Sequence, residues 1–194
     1  MLTLRTCCDK IKPMTMNLHD AYKNYMAPYG WGDKGTCHSY IDIYEKEMTK
    51  KSNIDILEIG VKYGHSIKMW QDYFTDSNVY GIDIDLSIVQ FNDLQNVYVC
   101  NATSQQQIDS IFNDKKFDYV VDDGSHIIEE QIKAFNILWP RIKKGGKYFI
   151  EDIDGQNAID RITNHLNKNG IEFVLFDNRE VKGLWNDMIF MMTK

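Results

Sequence analysis

The chain has 194 residues, 43% of them hydrophobic, with a formal net charge of -6. That is enough chain for one compact domain burying about 70% of its unfolded surface. An acidic chain without a Lys/Arg-rich block has no broad footprint for a phosphate backbone, which argues against a nucleic-acid partner and for small-molecule chemistry.

The first sixteen residues, MLTLRTCCDKIKPMTM, lack the continuous apolar core of a signal peptide. No stretch approaches the roughly 20 apolar residues needed to span a bilayer, so an intracellular, cytoplasmic protein without a membrane partner is expected. Cys7, Cys8, Cys37 and Cys100 show neither CxxC pairing nor the density of a disulfide-stapled domain, and they read as reduced structural thiols. The segments NLHDAYKNYMAP and TCHSYIDIYEKEMTK read as helices, the second placing Tyr40, Ile43, Tyr44 and Met48 on one side. Residues 1–53 are thus expected to form a tail and helical cap, and 54–194 the core of the same compact unit.

From residue 54 short apolar runs alternate with amphipathic stretches: IDILEIG, HSIKMWQDYF, NVYGIDI, a short helix near SIVQFND, then NVYVC. That is a βαβαβ half. The second half predicts a helix over SQQQIDSIFND, capped by Thr103 or Ser104, strand FDYVVDD, helix HIIEEQIKAFNILWP and strand GKYFIED. A helix over NAIDRITNHLNKNG and strand IEFVLFD follow. A parallel crossover needs about a dozen residues and usually a helix, so the short linker NREVKGLWN predicts that the final strand, DMIFMMTK, returns antiparallel. The expected fold is α/β and Rossmann-like, a mostly parallel sheet with an antiparallel last strand and an N-terminal helical cap. A dehydrogenase nucleotide domain would instead continue with another parallel crossover. Pro13, Pro28 and Pro140 all fall at element ends.

In such a sheet the ligand lies beyond the carboxyl ends of the strands, where strand order reverses. The first strand ends in Glu58-Ile59-Gly60-Val61-Lys62-Tyr63-Gly64. Gly60 and Gly64 let a turn pass close to a ligand, and the following helix presents free N–H groups. Their spacing does not match GxGxxG, which favours a cofactor without a pyrophosphate. Asp83, ending the second strand, can accept hydrogen bonds from both ribose hydroxyls, whereas Asp85 reads as a helix cap.

The fourth strand ends in Val121-Asp122-Asp123-Gly124-Ser125-His126 and the fifth in Glu151-Asp152. Neighbouring strands would bring these acids into one pocket, and converging acids repel unless protonated, paired with cations or bridged by metal. No Lys or Arg lies inside either motif. Oxygen ligands suit Mg²⁺ or a similar hard ion. The bland alternative is that Asp122 and Asp154 cap the helices near His126 and Asn157.

The fragments LEIG and YGIDID resemble class I S-adenosylmethionine-dependent methyltransferases from about Asp55 to the C-terminus. By that similarity Glu58 and Gly60 line the methionine side of the cofactor and Asp83 holds the ribose. Asn101 falls where the family contacts adenine, and Asp122 joins the cofactor-binding set with Gly64. Together with GDKG, HSYIDIYE, VDDGSH and IED, they resemble metal-dependent macrolide-sugar O-methyltransferases and the related cephalosporin hydroxylase-like family. The resemblance implies Asp123, Glu151 and Asp152 as ligands of Mg²⁺ or Mn²⁺ and His126 as general base. Methyl transfer from a sulfonium has a good leaving group, so the difficulty lies in activating a hydroxyl, which a metal and an imidazole both assist.

The reading that follows is O-methylation of a small-molecule or glycan acceptor carrying a vicinal diol. Catechol methylation, a noncatalytic nucleotide-binding module and an NAD-dependent oxidoreductase are the rivals, the last disfavoured by glycine spacing and the terminal hairpin. A homo-oligomer is compatible with the sequence. Trp70, Trp139 and most methionines are assigned to packing, while His38, Tyr40, Trp31 and Trp185 are candidates for closing the pocket or touching substrate.

Overall fold

The computed structural model describes residues 16–25 and 33–194. Cys7, Cys8, Pro13, Pro28 and Trp31 lie outside the described residues, as does the end of the first expected helix.

Two helices precede the sheet, α1 (Leu18–Tyr25) and α2 (Ile41–Glu47). Tyr40, Ile43, Tyr44 and Met48 are all buried, as the helical spacing predicts. The core then runs β1 (Asp55–Ile59), α3 (His65–Tyr73), β2 (Asn78–Asp83), β3 (Val97–Val99), α4 (Gln105–Phe112), β4 (Phe117–Asp122) and α5 (Ile128–Leu138). It ends with β5 (Ile142–Ile150), α6 (Gly155–Lys168), β6 (Phe173–Asp177), the four-residue α7 (Arg179–Lys182) and β7 (Met188–Thr193). Ser104 caps α4, its Oγ accepting the Gln107 N–H.

The strands form one seven-stranded sheet in the order β3-β2-β1-β4-β5-β7-β6. Neighbours from β3 through β5 pair parallel, and β7 inserts antiparallel between β5 and β6. The expected antiparallel last strand is present. The expected helix near SIVQFND is not: the stretch between β2 and β3 consists of turns. Its residues Leu86, Val89 and Leu94 pack against the core at helical spacing although the backbone is not helical, and Asp85, expected as a helix cap, accepts the Ser87 N–H at 2.8 Å inside a turn.

Side chains alternate across the sheet, which is covered on both faces. Ile56, Val121, Phe149, Ile189 and Met191 pack toward α1, α2 and α3, around the fully buried Trp70. Leu57, Val120, Tyr148, Ile150, Phe190 and Met192 pack the other way, against Phe135 and Ile162 of α5 and α6. Continuing the first alternation by two residues places Glu58, Asp123 and Glu151 on the face covered by the cap. The site described below depends on that parity.

The opposite ends of the strands carry a charge network. Asp118 accepts from Lys50 and Lys143 at 2.7 Å each and from the Asp55 N–H at 2.9 Å, and Asp55 accepts from Lys115 and Lys143. Burial opposes ionisation of both carboxyls, but these hydrogen bonds outweigh it and hold them below the usual carboxylate range. Their stabilisation is present above the ordinary aspartate pKa and is lost as pH falls through the lowered folded value. Asp118→Asn is expected to cost about 2 kcal/mol in denaturant unfolding at pH 7, with the difference vanishing in strong acid.

Candidate active site at the carboxyl ends of β1, β4 and β5

Strand order reverses between β1 and β4, and the turn after β1 is shaped by its glycines. Gly60 has φ +91°, and a Cβ there would lie 2.0 Å from the Asp123 carbonyl oxygen. Only a glycine lets the ends of β1 and β4 touch in this way. Gly60→Ala is therefore expected to destabilise the chain by about 3 kcal/mol, read as a lowered melting temperature. Gly64, at φ +88°, precedes α3, whose first residues His65 and Ser66 face the same cavity.

Asp83 builds this turn as well as facing it. Its Oδ2 accepts the N–H groups of Val61 at 2.8 Å and Lys62 at 2.9 Å, while Oδ1 accepts that of Asp85 at 3.2 Å. Two cavities meet at Gly60, Asp83 and Gly124. One, of about 360 Å³, is walled by the glycine turn, His65, Asp123 and His126. The other, of about 170 Å³, is walled by Ile84, Cys100, Asn101, Asp122, Glu130 and Gln131.

The expected cofactor residues divide between these walls. Gly60 and Asp83 line the first, and Asn101 and Asp122 line the second, whereas Gly64 lines neither and lies against Leu94 and Phe91. Asn101 Oδ1 is engaged by the N–H and hydroxyl of Thr103. Asp122 is buried beside Tyr148, and burial pushes its carboxyl up to about 7. Glu58 departs from the expectation: it is 0% exposed and does not reach either cavity wall, because Lys34 lies over it at 3.4 Å. Burial raises its carboxyl to about 7, against the opposing effect of Lys34.

The acids do have a cation, and it comes from the N-terminal segment. Lys34, 1% exposed, places its Nζ 2.6 Å from Asp123 Oδ2 and 2.8 and 2.7 Å from the two oxygens of Glu151. Burial disfavours the charge on this lysine, but Asp123, Glu151 and Glu58 together hold its pKa well above the usual value. Burial and mutual repulsion push the pKa of Asp123 and Glu151 upward as well, against the lowering effect of Lys34. The Tyr44 hydroxyl donates to Glu151 Oε1. Glu151, expected as a free metal ligand, is thus fully engaged and joins a ligand set only by giving up Lys34.

Asp123 and Asp152 each keep one oxygen on the side of His126, and of the two Asp123 lines the larger cavity. Asp152 Oδ1 accepts the Tyr40 hydroxyl at 2.7 Å and has His38 Nε2 at 3.4 Å, while its Oδ2 lies 3.7 Å from His126 Nε2. Asp123 Oδ1 lies 3.9 Å from the same nitrogen. Among the described residues Asp123, His126 and Asp152 present ligand atoms within 4.8 Å of one another. Two carboxylate oxygens and an imidazole at this spacing suit a divalent ion. His126 and Asp152 both sit at φ +56°, a costly backbone for residues with a Cβ.

Other expected residues fall as follows. His38 is buried and stacks on Tyr40, with ring centroids 4.7 Å apart, and its Nδ1 lies 3.7 Å from the fully buried Asp187. Trp70 is packed in the core and Trp139 against it, whereas Trp185 is 58% exposed. Lys34 and Asp187 are not singled out by the sequence, which gives Tyr44 a packing role alone. Two phenols at i and i+4 on the buried face of a helix were the available signal, since buried hydroxyls require partners.

No helix among the described residues is long and apolar enough to cross a membrane. The chain is 33% identical over 131 residues to the 8-demethyl-8-alpha-L-rhamnosyl tetracenomycin-C 2'-O-methyltransferase of Streptomyces olivaceus, covering 62% of this chain and 35% of the relative. It is 31% identical over 162 residues to the mycinamicin VI 2''-O-methyltransferase of Micromonospora griseorubida, covering 75% and 37%. The chain spans about a third of the length of these curated relatives. A solved MycE methyltransferase from the mycinamycin biosynthetic pathway, in complex with Mg and SAH, superposes with a TM-score of 0.68 at 25% identity, over 93% of this chain and 55% of that one. The family described as a methyltransferase domain matches residues 57–153, half of the chain. With this match and the shared sheet architecture, the chain belongs to the methyltransferase-domain family.

Proposed function

We propose that the chain is an S-adenosylmethionine-dependent, divalent-metal-assisted O-methyltransferase acting on a hydroxyl of a sugar or glycoconjugate. The observation that carries this reading is the opening of Asp123 and His126, with Asp152 beside them, onto the cavity shaped by Gly60 and Asp83. Methyl donor and activated oxygen are thereby given one shared space.

When bound, the sulfonium supplies the methyl group and the ion, Mg²⁺ or Mn²⁺, acidifies the acceptor hydroxyl. The residues do the rest. Asp83 and the turn it holds bind the ribose and methionine portions, and the wall formed by Asn101 and Asp122 accepts the adenine. Asp123, Asp152 and Glu151 hold the ion. His126 Nε2, aimed at the same carboxylate oxygens, accepts the hydroxyl proton. Relatives named for rhamnosyl and mycinamicin substrates support a sugar acceptor over a catechol.

Calorimetry with S-adenosylhomocysteine and NAD, with and without Mg²⁺, followed by transfer of labelled methyl to sugar and catechol acceptors, tests the proposal. Homocysteine-cofactor binding with label appearing on a sugar is expected. Binding of NAD alone, or no turnover on any acceptor by a chain that binds the cofactor, would reject it.

Asp83→Ala removes a ribose acceptor and releases the Val61 and Lys62 amides together. Affinity for S-adenosylhomocysteine is expected to fall at least about tenfold, at about 1.5 kcal/mol or more per lost charged hydrogen bond. Unchanged affinity in a folded variant would remove Asp83 from the binding site.

A further inference from the structure

The charge of the acid cluster is already partly matched. Glu58, Asp123 and Glu151 converge on one ammonium with 1% exposure, delivered by a segment that precedes the sheet. A lysine stem is seldom buried this far, and here it is held by three carboxylates at 2.6 to 3.4 Å. The cluster also lies directly beside the pair of open oxygens offered by Asp123 and Asp152.

We infer that Lys34 is a resident counter-cation of the acid cluster, which holds it assembled without a divalent ion and competes with that ion for Asp123 and Glu151. This inference rests on the metal-binding part of the proposed function, and it concerns ion affinity rather than turnover. Asp123 binds Lys34 through Oδ2 and faces the cavity through Oδ1, so an ion on that carboxylate shares it with an ammonium already in place. Glu151 has both oxygens on the same ammonium and becomes a ligand only at its expense. Two cations on one carboxylate repel each other, and a site sheltered from water screens that repulsion poorly. Without the lysine the acids would repel one another instead, which is the state an ion relieves most strongly. Lys34 therefore trades ion affinity for a cluster that is preassembled before the ion arrives. It is a positioning residue, acting through Asp123 and Glu151.

Lys34→Met keeps the length and apolar character of the stem and removes the charge. Mn²⁺ titrations of the full chain, followed by electron paramagnetic resonance without acceptor, read the effect independently of catalysis. The variant is expected to bind Mn²⁺ at least about tenfold more tightly than the unaltered chain, to melt at a lower temperature without ion, and to gain more on its addition. Equal or weaker Mn²⁺ binding by a folded variant overturns the inference. If the variant does not fold, the unaltered chain decides: acetylation of Lys34, quantified by mass spectrometry, is expected to rise several-fold at saturating Mn²⁺. Unchanged labelling overturns the inference. Failure of the proposed metal chemistry has a different signature, the absence of Mn²⁺ binding by the unaltered chain and the variant alike, which overturns both.

Discussion

Stripping divalent ions from the full chain with EDTA is expected to abolish methyl transfer, and added Mg²⁺ or Mn²⁺ to restore it, while S-adenosylhomocysteine still binds. The separation follows from the geometry. The turn after β1 is held by hydrogen bonds from its own N–H groups to the Asp83 carboxylate and needs no ion, whereas Asp123 and Asp152 turn their remaining oxygens toward His126. Asp152→Asn keeps the shape and the contact with Tyr40 but removes a charge, and activity is expected to fall about 10²-fold or more with partial rescue by excess metal. Asp123→Asn should match it. Glu151→Gln should also lose activity, with an added cost in stability of about 3 kcal/mol because it leaves Lys34 short of a buried partner. If the acceptor chelates the ion through adjacent hydroxyls, an analogue lacking the neighbouring hydroxyl reacts poorly. Full activity after verified ion removal would defeat the metal mechanism.

The sheet was readable because its signals are local. Short apolar runs broken by amphipathic stretches fix β1 to β5, and one linker too short for a parallel crossover fixes the direction of β7. The failed helix near Ser87 shows the limit: Leu86, Val89 and Leu94 pack against the core from a chain of turns, where spacing alone suggests a helix. Asp123, His126 and Asp152 came together as strand-end motifs imply. Their partners did not follow from those motifs, because Lys34 is 89 residues from Asp123 and 117 from Glu151. No Lys or Arg lies inside either acid motif, and the N-terminal cap supplies the partners of these acids, Lys34, His38, Tyr40 and Tyr44.

His126→Ala is expected to lower turnover by about 10² to 10⁴, the range for loss of a general base. Its position supports that role and admits a second. Nε2 lies 3.9 Å from Asp123 and 3.7 Å from Asp152, beyond hydrogen-bond reach, so the ring is held near both carboxylates without being consumed by either. The side chain is 39% exposed, open to an acceptor from the cavity side. As a base, His126 is replaceable by hydroxide or buffer, and the loss should shrink as pH rises while Mn²⁺ affinity and S-adenosylhomocysteine affinity stay within about twofold. As an ion ligand, its removal should weaken Mn²⁺ binding by about tenfold or more, and excess metal rather than higher pH should rescue turnover. Measuring Mn²⁺ affinity and the pH profile on the same variant separates the two. Near-normal turnover at neutral pH, with chemistry shown to be rate-limiting, would assign His126 neither role and leave its left-handed backbone as a feature of the turn into α5.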